Sequence, residues 1–152
     1  MASEPVTMAA ADPAILLPVL GMLVLTLLVW AHMYVKRIGY MRRARIRPER
    51  LRSPAGKAAA LPDEVSFPAH NLSNLFELPV VFYAVCIVLY VTGMADSVDV
   101  YSAWIYFVLR CLHSAVQCTV NHVMLRFSLY FVSSLVLWWL VLRSLVRLLQ
   151  GT

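Results

Sequence analysis

Charge is scarce in this sequence. Only 14% of its 152 residues are Asp, Glu, Lys or Arg, against 61% hydrophobic, whereas a soluble domain carries roughly 25% charged residues. In water such a composition would leave large apolar patches exposed, so a soluble globular domain is excluded and lipid is the expected solvent. Cysteine is scarce as well. Cys86, Cys111 and Cys118 all lie in apolar runs with no C-x-x-C pair, so neither a zinc site nor dithiol chemistry is indicated and no metal is expected. Without a compact extracellular domain, three cysteines do not make a disulfide framework either. No positive residue precedes the first apolar run, while Glu4 and Asp12 do. A cleaved signal peptide needs a positive n-region, so this run is expected to stay as a signal anchor with the N-terminus outside.

The positive charge that exists is concentrated. Nine of the 13 Lys and Arg fall between Lys36 and Lys57. Beside an apolar span, such a cluster marks the cytoplasmic side, and it suits the anionic headgroups of membrane lipid. Nucleic acid is not expected as a partner, because no aromatic residue beyond Tyr40 interleaves the cluster.

Pro13 to Val35 is free of formal charge and exceeds the roughly 20 residues that cross a bilayer core. Residues 36–69 read as a polar connector in which Pro48, Pro54, Pro62 and Pro68 limit any long helix, leaving room for a short interfacial helix around Arg42–Leu51. A second span is expected over about 72–94, with Glu77 and Pro79 near its start. The apolar tract Val100–Leu149 is long enough for two more spans, about 101–122 and 126–148, turning at Asn121, His122 and Arg126. The expectation is one all-α membrane domain, a four-helix bundle over residues 1–152. Arg143 and Arg147 then fall at the outer end, against the charge rule, and the basic loop outvotes them.

Ionisable residues inside spans are costly and mark candidate sites. His70, Asn74 and Glu77 recur at steps of four and three and share a helical face. Pro79 has no N–H and frees the carbonyl of Leu75 beside them. The bland alternative is that Asn71 or Ser73 caps the helix and Glu77 pairs with an arginine. Arg110, His113, Ser114, Gln117 and Asn121 form a second stripe that cannot face lipid. Arg110 needs an anion there, and Glu77 is the only acid in a predicted span. Arg126, followed by Ser128 and Tyr130, begins the last span, where an arginine either snorkels to phosphate headgroups or serves the site. His32, His70, His113 and His122 raise haem as an alternative, but no pair sits at matched depth in facing helices.

The run Asn74-Leu-Phe-Glu77-Leu-Pro79, then Arg110-x-x-His113-Ser114, then Arg126 resembles the MAPEG family, the membrane-associated proteins in eicosanoid and glutathione metabolism. The resemblance covers nearly the whole chain and implies a homotrimer with glutathione held between subunits near the cytoplasmic face. By that resemblance Asn74 and Glu77 grip the tripeptide, and Arg110 and His113 match the Arg-x-x-His positions of the third span. Arg126 matches the arginine that stabilises the glutathione thiolate in catalytic members. Two anchors depart from the pattern: His70 stands where catalytic members have arginine, and Gln117 where they have tyrosine. The Glu-to-Pro spacing is also shorter. The implied activity is a glutathione-dependent transferase or peroxidase for small lipophilic substrates; the alternative is a non-catalytic scaffold of the same fold, binding lipid or a partner.

Overall fold

The structure, a computed structural model, describes residues 12–151; Glu4 lies outside them. Among the described residues the regular structure is entirely helical. A single 3-10 turn over Pro13–Ile15, capped by the Asp12 side chain, leads into α1, Leu16–Arg43. The basic connector holds a 3-10 turn at Pro48–Leu51 and a short helix α2, Pro54–Ala60. Then come α3, Asp63–Leu75, and α4, Leu78–Val91. The remaining helices are α5, Ser97–Cys118, and α6, Val123–Leu149.

Three stretches are long and apolar enough to cross a membrane: Pro13–Arg43, Asp63–Val91 and Val123–Leu149. The third expected span, now α5, is less apolar than these because it carries the polar stripe. Of that stripe Arg110, His113, Ser114 and Gln117 are buried and turned inward, whereas Asn121 falls beyond the end of α5 at Cys118 and is half-buried in the turn. The outward faces of α1, α4, α5 and α6 expose Leu, Val, Ile and Trp. Inside, Ile15, Met22, Phe82, Cys86, Leu89, Tyr106, Leu137 and Leu140 form the core, with the Phe82 and Tyr106 rings stacked at 4.5 Å.

Helix boundaries differ from expectation in the connector and the second span. Helix α1 continues eight residues beyond Val35, to Arg43. Helix α3 begins at Asp63, because Pro62 takes the cap position and Asp63 and Glu64 sit in the first turn, where a helix dipole favours acids. Pro68 lies inside α3 rather than limiting it. The carbonyl it leaves without an N–H, that of Glu64, accepts a bond from Lys36 Nζ at 3.3 Å.

The helix expected for the second span is not continuous. Pro79 offers no N–H to Leu75 and its ring crowds that carbonyl. The chain ends α3 at Leu75 and restarts at Leu78, with Pro79 in the first turn of α4, where no N–H is needed. At its far end α4 closes in a Schellman motif: Gly93 adopts φ 69°, its N–H bonds Tyr90 O at 3.2 Å, and Met94 N–H bonds Leu89 O at 3.0 Å.

Helix α5 starts four residues earlier than expected and so includes Asp99. Asp96 and Asp99 form a reciprocal capping box, and the Asp99 side chain is fully buried. Arg143 donates to Asp99 and, at 2.6 Å, to Asp96; Arg147 donates to Asp99 and to the Met94 carbonyl, each at 2.8 Å. The two arginines that run against the charge rule are thus matched by two carboxylates.

Candidate functional site

At the opposite end of α5 and α6 the polar residues gather. Helix α5 ends at Cys118, and the chain turns through Asn121 at φ 48°, a left-handed conformation that asparagine tolerates. The Asn121 N–H bonds Val116 O at 2.8 Å, and its Oδ1 accepts from Arg126 Nη1 at 2.8 Å. His122 caps α6, its ring accepting from the Leu125 N–H at 3.4 Å. The turn therefore fixes one edge of the Arg126 guanidinium. Of the five N–H donors an arginine carries, the remainder have no partner among the described residues.

Arg126 borders a cavity of about 350 Å3 with His70, Asn74, His113, Gln117 and Tyr130; Val123 and Phe127 complete the α6 wall. Four of these eight positions, 70, 74, 113 and 117, come from α3 and α5 and the other four from α6, so the cavity lies among these three helices. Its polar wall is wired together. Asn74 Nδ2 lies 3.0 Å from Gln117 Oε1, and the same oxygen lies 2.8 Å from His113 Nε2. His113 Nδ1 lies 2.9 Å from the Arg126 carbonyl oxygen, which ties α5 to α6.

Arg110 does not line the cavity but lies behind it, completely buried. Its guanidinium sits 4.9 Å from the centre of the Tyr130 ring, a cation–π arrangement. Its Nη2 donates to the Asn74 carbonyl at 2.8 Å. The break between α3 and α4 opens this carbonyl to the guanidinium: in an unbroken helix it would accept from residue 78, whereas here the Glu77 N–H reaches it at a long 3.4 Å. The acceptor freed at the break and put to use is thus Asn74, not Leu75. Arg110 Nε and Nη1 and the Tyr106 hydroxyl are buried with no partner among the described residues.

Glu77 is exposed and stands just before α4. No ion pair joins it to Arg110 among the described residues; it accepts instead from the Tyr130 hydroxyl at 3.4 Å. The common helical face read for His70, Asn74 and Glu77 is broken at the same point, so only His70 and Asn74 share the cavity wall. Asn71 is not a cap. It is buried within α3, where its Oδ1 accepts from Ser114 at 3.3 Å and its Nδ2 donates to Cys118 Sγ at 3.4 Å.

Two contributors escaped the sequence reading. Tyr130 was visible only as a neighbour of Arg126, although its i+4 spacing places it on the same face. Asn71 reads in the sequence as a candidate cap, and its actual partners, Ser114 and Cys118, lie 43 and 47 positions away.

Searches against curated proteins and against solved structures return no significant match. The family profile for MAPEG matches residues 15–146, a range that contains every helix just described up to the last turn of α6. On that match the chain belongs to the MAPEG family.

Proposed function

We propose that this protein is a glutathione-dependent membrane transferase or peroxidase acting on small lipophilic substrates. In this reading α1, the α3–α4 unit, α5 and α6 are four spans, the basic connector faces the cytoplasm, the N-terminus is outside, and the working form is a homotrimer. The observation that carries it is the Arg126 guanidinium, held on one edge by Asn121 and open on the others, on the wall of a cavity shared with Asn74 and His113. Family membership supports glutathione as the ligand.

The chemistry follows from the cation. A thiol with a pKa of about 8.5 is mostly protonated at neutral pH, and a fixed guanidinium beside the sulfur favours the thiolate that attacks. With a chloronitroarene, the proton leaves to solvent, sulfur bonds the ring carbon and chloride departs. Asn74 supplies an amide for the peptide backbone or a carboxylate, and the exposed apolar faces of the helices admit the lipophilic partner from the membrane. Purified protein in detergent is expected to melt at higher temperature with glutathione and to conjugate chlorodinitrobenzene, with turnover lost in Arg126→Ala. No binding at millimolar glutathione would sink this reading.

A second reading, a non-catalytic scaffold that binds lipid or a partner, is favoured by the two departures His70 and Gln117, which both fall on the cavity wall. A cross-linked trimer without thiol affinity is its signature.

A further inference from the structure

Gln117 touches two neighbours with one atom. Its Oε1 position lies 2.8 Å from His113 Nε2 and 3.0 Å from Asn74 Nδ2, while His113 Nδ1 lies 2.9 Å from the backbone oxygen of Arg126. These contacts dictate where hydrogens sit. A backbone carbonyl only accepts, so Nδ1 carries a hydrogen. When the ring is neutral, Nε2 holds a lone pair and needs a donor. Gln117 then has to turn its NH2 to that position, since amide orientation is set by the bonds it makes. The same NH2 meets Asn74, which has to answer with Oδ1 and so directs its own NH2 away. When the ring is an imidazolium the order reverses. Nε2–H and Asn74 Nδ2 both donate to Gln117 Oε1, and Asn74 directs its Oδ1 away. Asn74 lines the cavity, and its second amide atom has no partner among the described residues.

We propose that Gln117 is a positioning residue that couples the proton on His113 to the polarity Asn74 presents to the cavity: a donor when His113 is neutral, an acceptor when it is cationic. The donor state suits a carboxylate or peptide carbonyl and the acceptor state suits an ammonium. The choice of ligand rests on the glutathione reading above, whereas the proton arrangement does not. The groups facing His113 are Tyr130, its ring 5.6 Å away on α6, Arg126 through its carbonyl, Arg110 one turn back on α5, and His70 across the cavity from α3. Glu77 reaches this set only through the Tyr130 hydroxyl.

Gln117→Glu tests the coupling, because a carboxylate of the same shape can only accept. It demands a hydrogen on Nε2 and the Asn74 NH2, which leaves Asn74 showing its carbonyl to the ligand. The full-length protein labelled with 15N-histidine, its His113 signals assigned against His113→Gln, is read first without ligand. At the alkaline end of the His113 titration the unsubstituted protein is expected to hold the neutral Nδ1–H tautomer, and Gln117→Glu the imidazolium at the same pH. Glutathione binding is read second. Gln117→Glu is expected to weaken it at least tenfold and Gln117→Leu by less, whereas a merely packing role gives the reverse order. In an Asn74→Leu background the Gln117→Glu penalty should fall below twofold, since it acts through Asn74. A neutral Nε2–H tautomer, the reverse order of variants, or a full penalty without Asn74 overturns the proposal. Absence of glutathione binding by the unsubstituted protein overturns the ligand reading alone, and the tautomer then decides the coupling.

Discussion

The ammonium of Lys36, on α1, lies 3.3 Å from the carbonyl oxygen of Glu64 on α3, the acceptor that Pro68 has no N–H to satisfy. One residue thus repairs another's defect across two helices. Lys36→Met is expected to lower stability by about 0.5–1.5 kcal/mol, the net worth of a hydrogen bond. In a Pro68→Ala background, where the backbone N–H returns, the loss should vanish. Thermal unfolding of the four proteins in one detergent gives the comparison.

Asp99 has no exposed side-chain surface and meets two guanidiniums. Asp99→Asn leaves Arg143 and Arg147 with Asp96 as their shared carboxylate and is expected to cost about 1.5–3 kcal/mol, the worth of a charged hydrogen bond. Adding Arg143→Gln should cost less than the sum of the two single changes. Additive losses would show that the cluster is not coupled.

Asp96 caps α5 from the residue before its first turn. Burial acts upward on its carboxyl, but the bond from Arg143, the Asp99 N–H, and the charges of Arg143 and Arg147 carry it down from 3.8 to about 2. The folded state then binds this proton more weakly than the unfolded chain. Its stabilisation is complete above about pH 4 and drains away as the pH falls through about 2. An acid melt should lose part of this limb in Asp96→Asn; an identical acid profile would contradict it.

Gly93 holds φ 69° in the cap that ends α4. Gly93→Ala forces an L side chain into the left-handed region and is expected to cost about 1–2 kcal/mol, while Gly39→Ala, at a helical glycine with open space around it, should be neutral or stabilising. Equal melting temperatures for the two variants would refute the cap.

Arg110→Met removes a completely buried guanidinium that pairs with no carboxylate among the described residues. Apolar replacement of buried charge is often neutral or stabilising, so its melting temperature should hold or rise. Glutathione binding should nevertheless weaken tenfold or more, because the bond that fixes the Asn74 backbone beside the cavity is lost. Unchanged binding would place Arg110 outside the site's support.

The sequence made some of this legible and hid the rest for definable reasons. Charge-free length announced α1, and the inward stripe on α5 was readable from its steps of three and four. Proline rules misled where tertiary contacts intervene: Pro68 sits inside a helix, and a lysine far away in the chain meets its orphaned carbonyl. They were incomplete at Pro79, where a whole helix ends and another starts. That break removed Glu77 from the face it was assigned and brought in Tyr130 as its partner. The match of Asp96 and Asp99 to Arg143 and Arg147 was invisible because it joins residues 44 or more positions apart.

The bond from Arg110 ends on the backbone of residue 74, not on its side chain. An alteration of that side chain therefore does not strand the buried cation, since every amino acid brings the same carbonyl. What the cavity reads and what holds it up are inherited separately at a single codon. A change at position 74 therefore alters the cavity wall and its contact with Gln117 while Arg110 keeps its backbone anchorage.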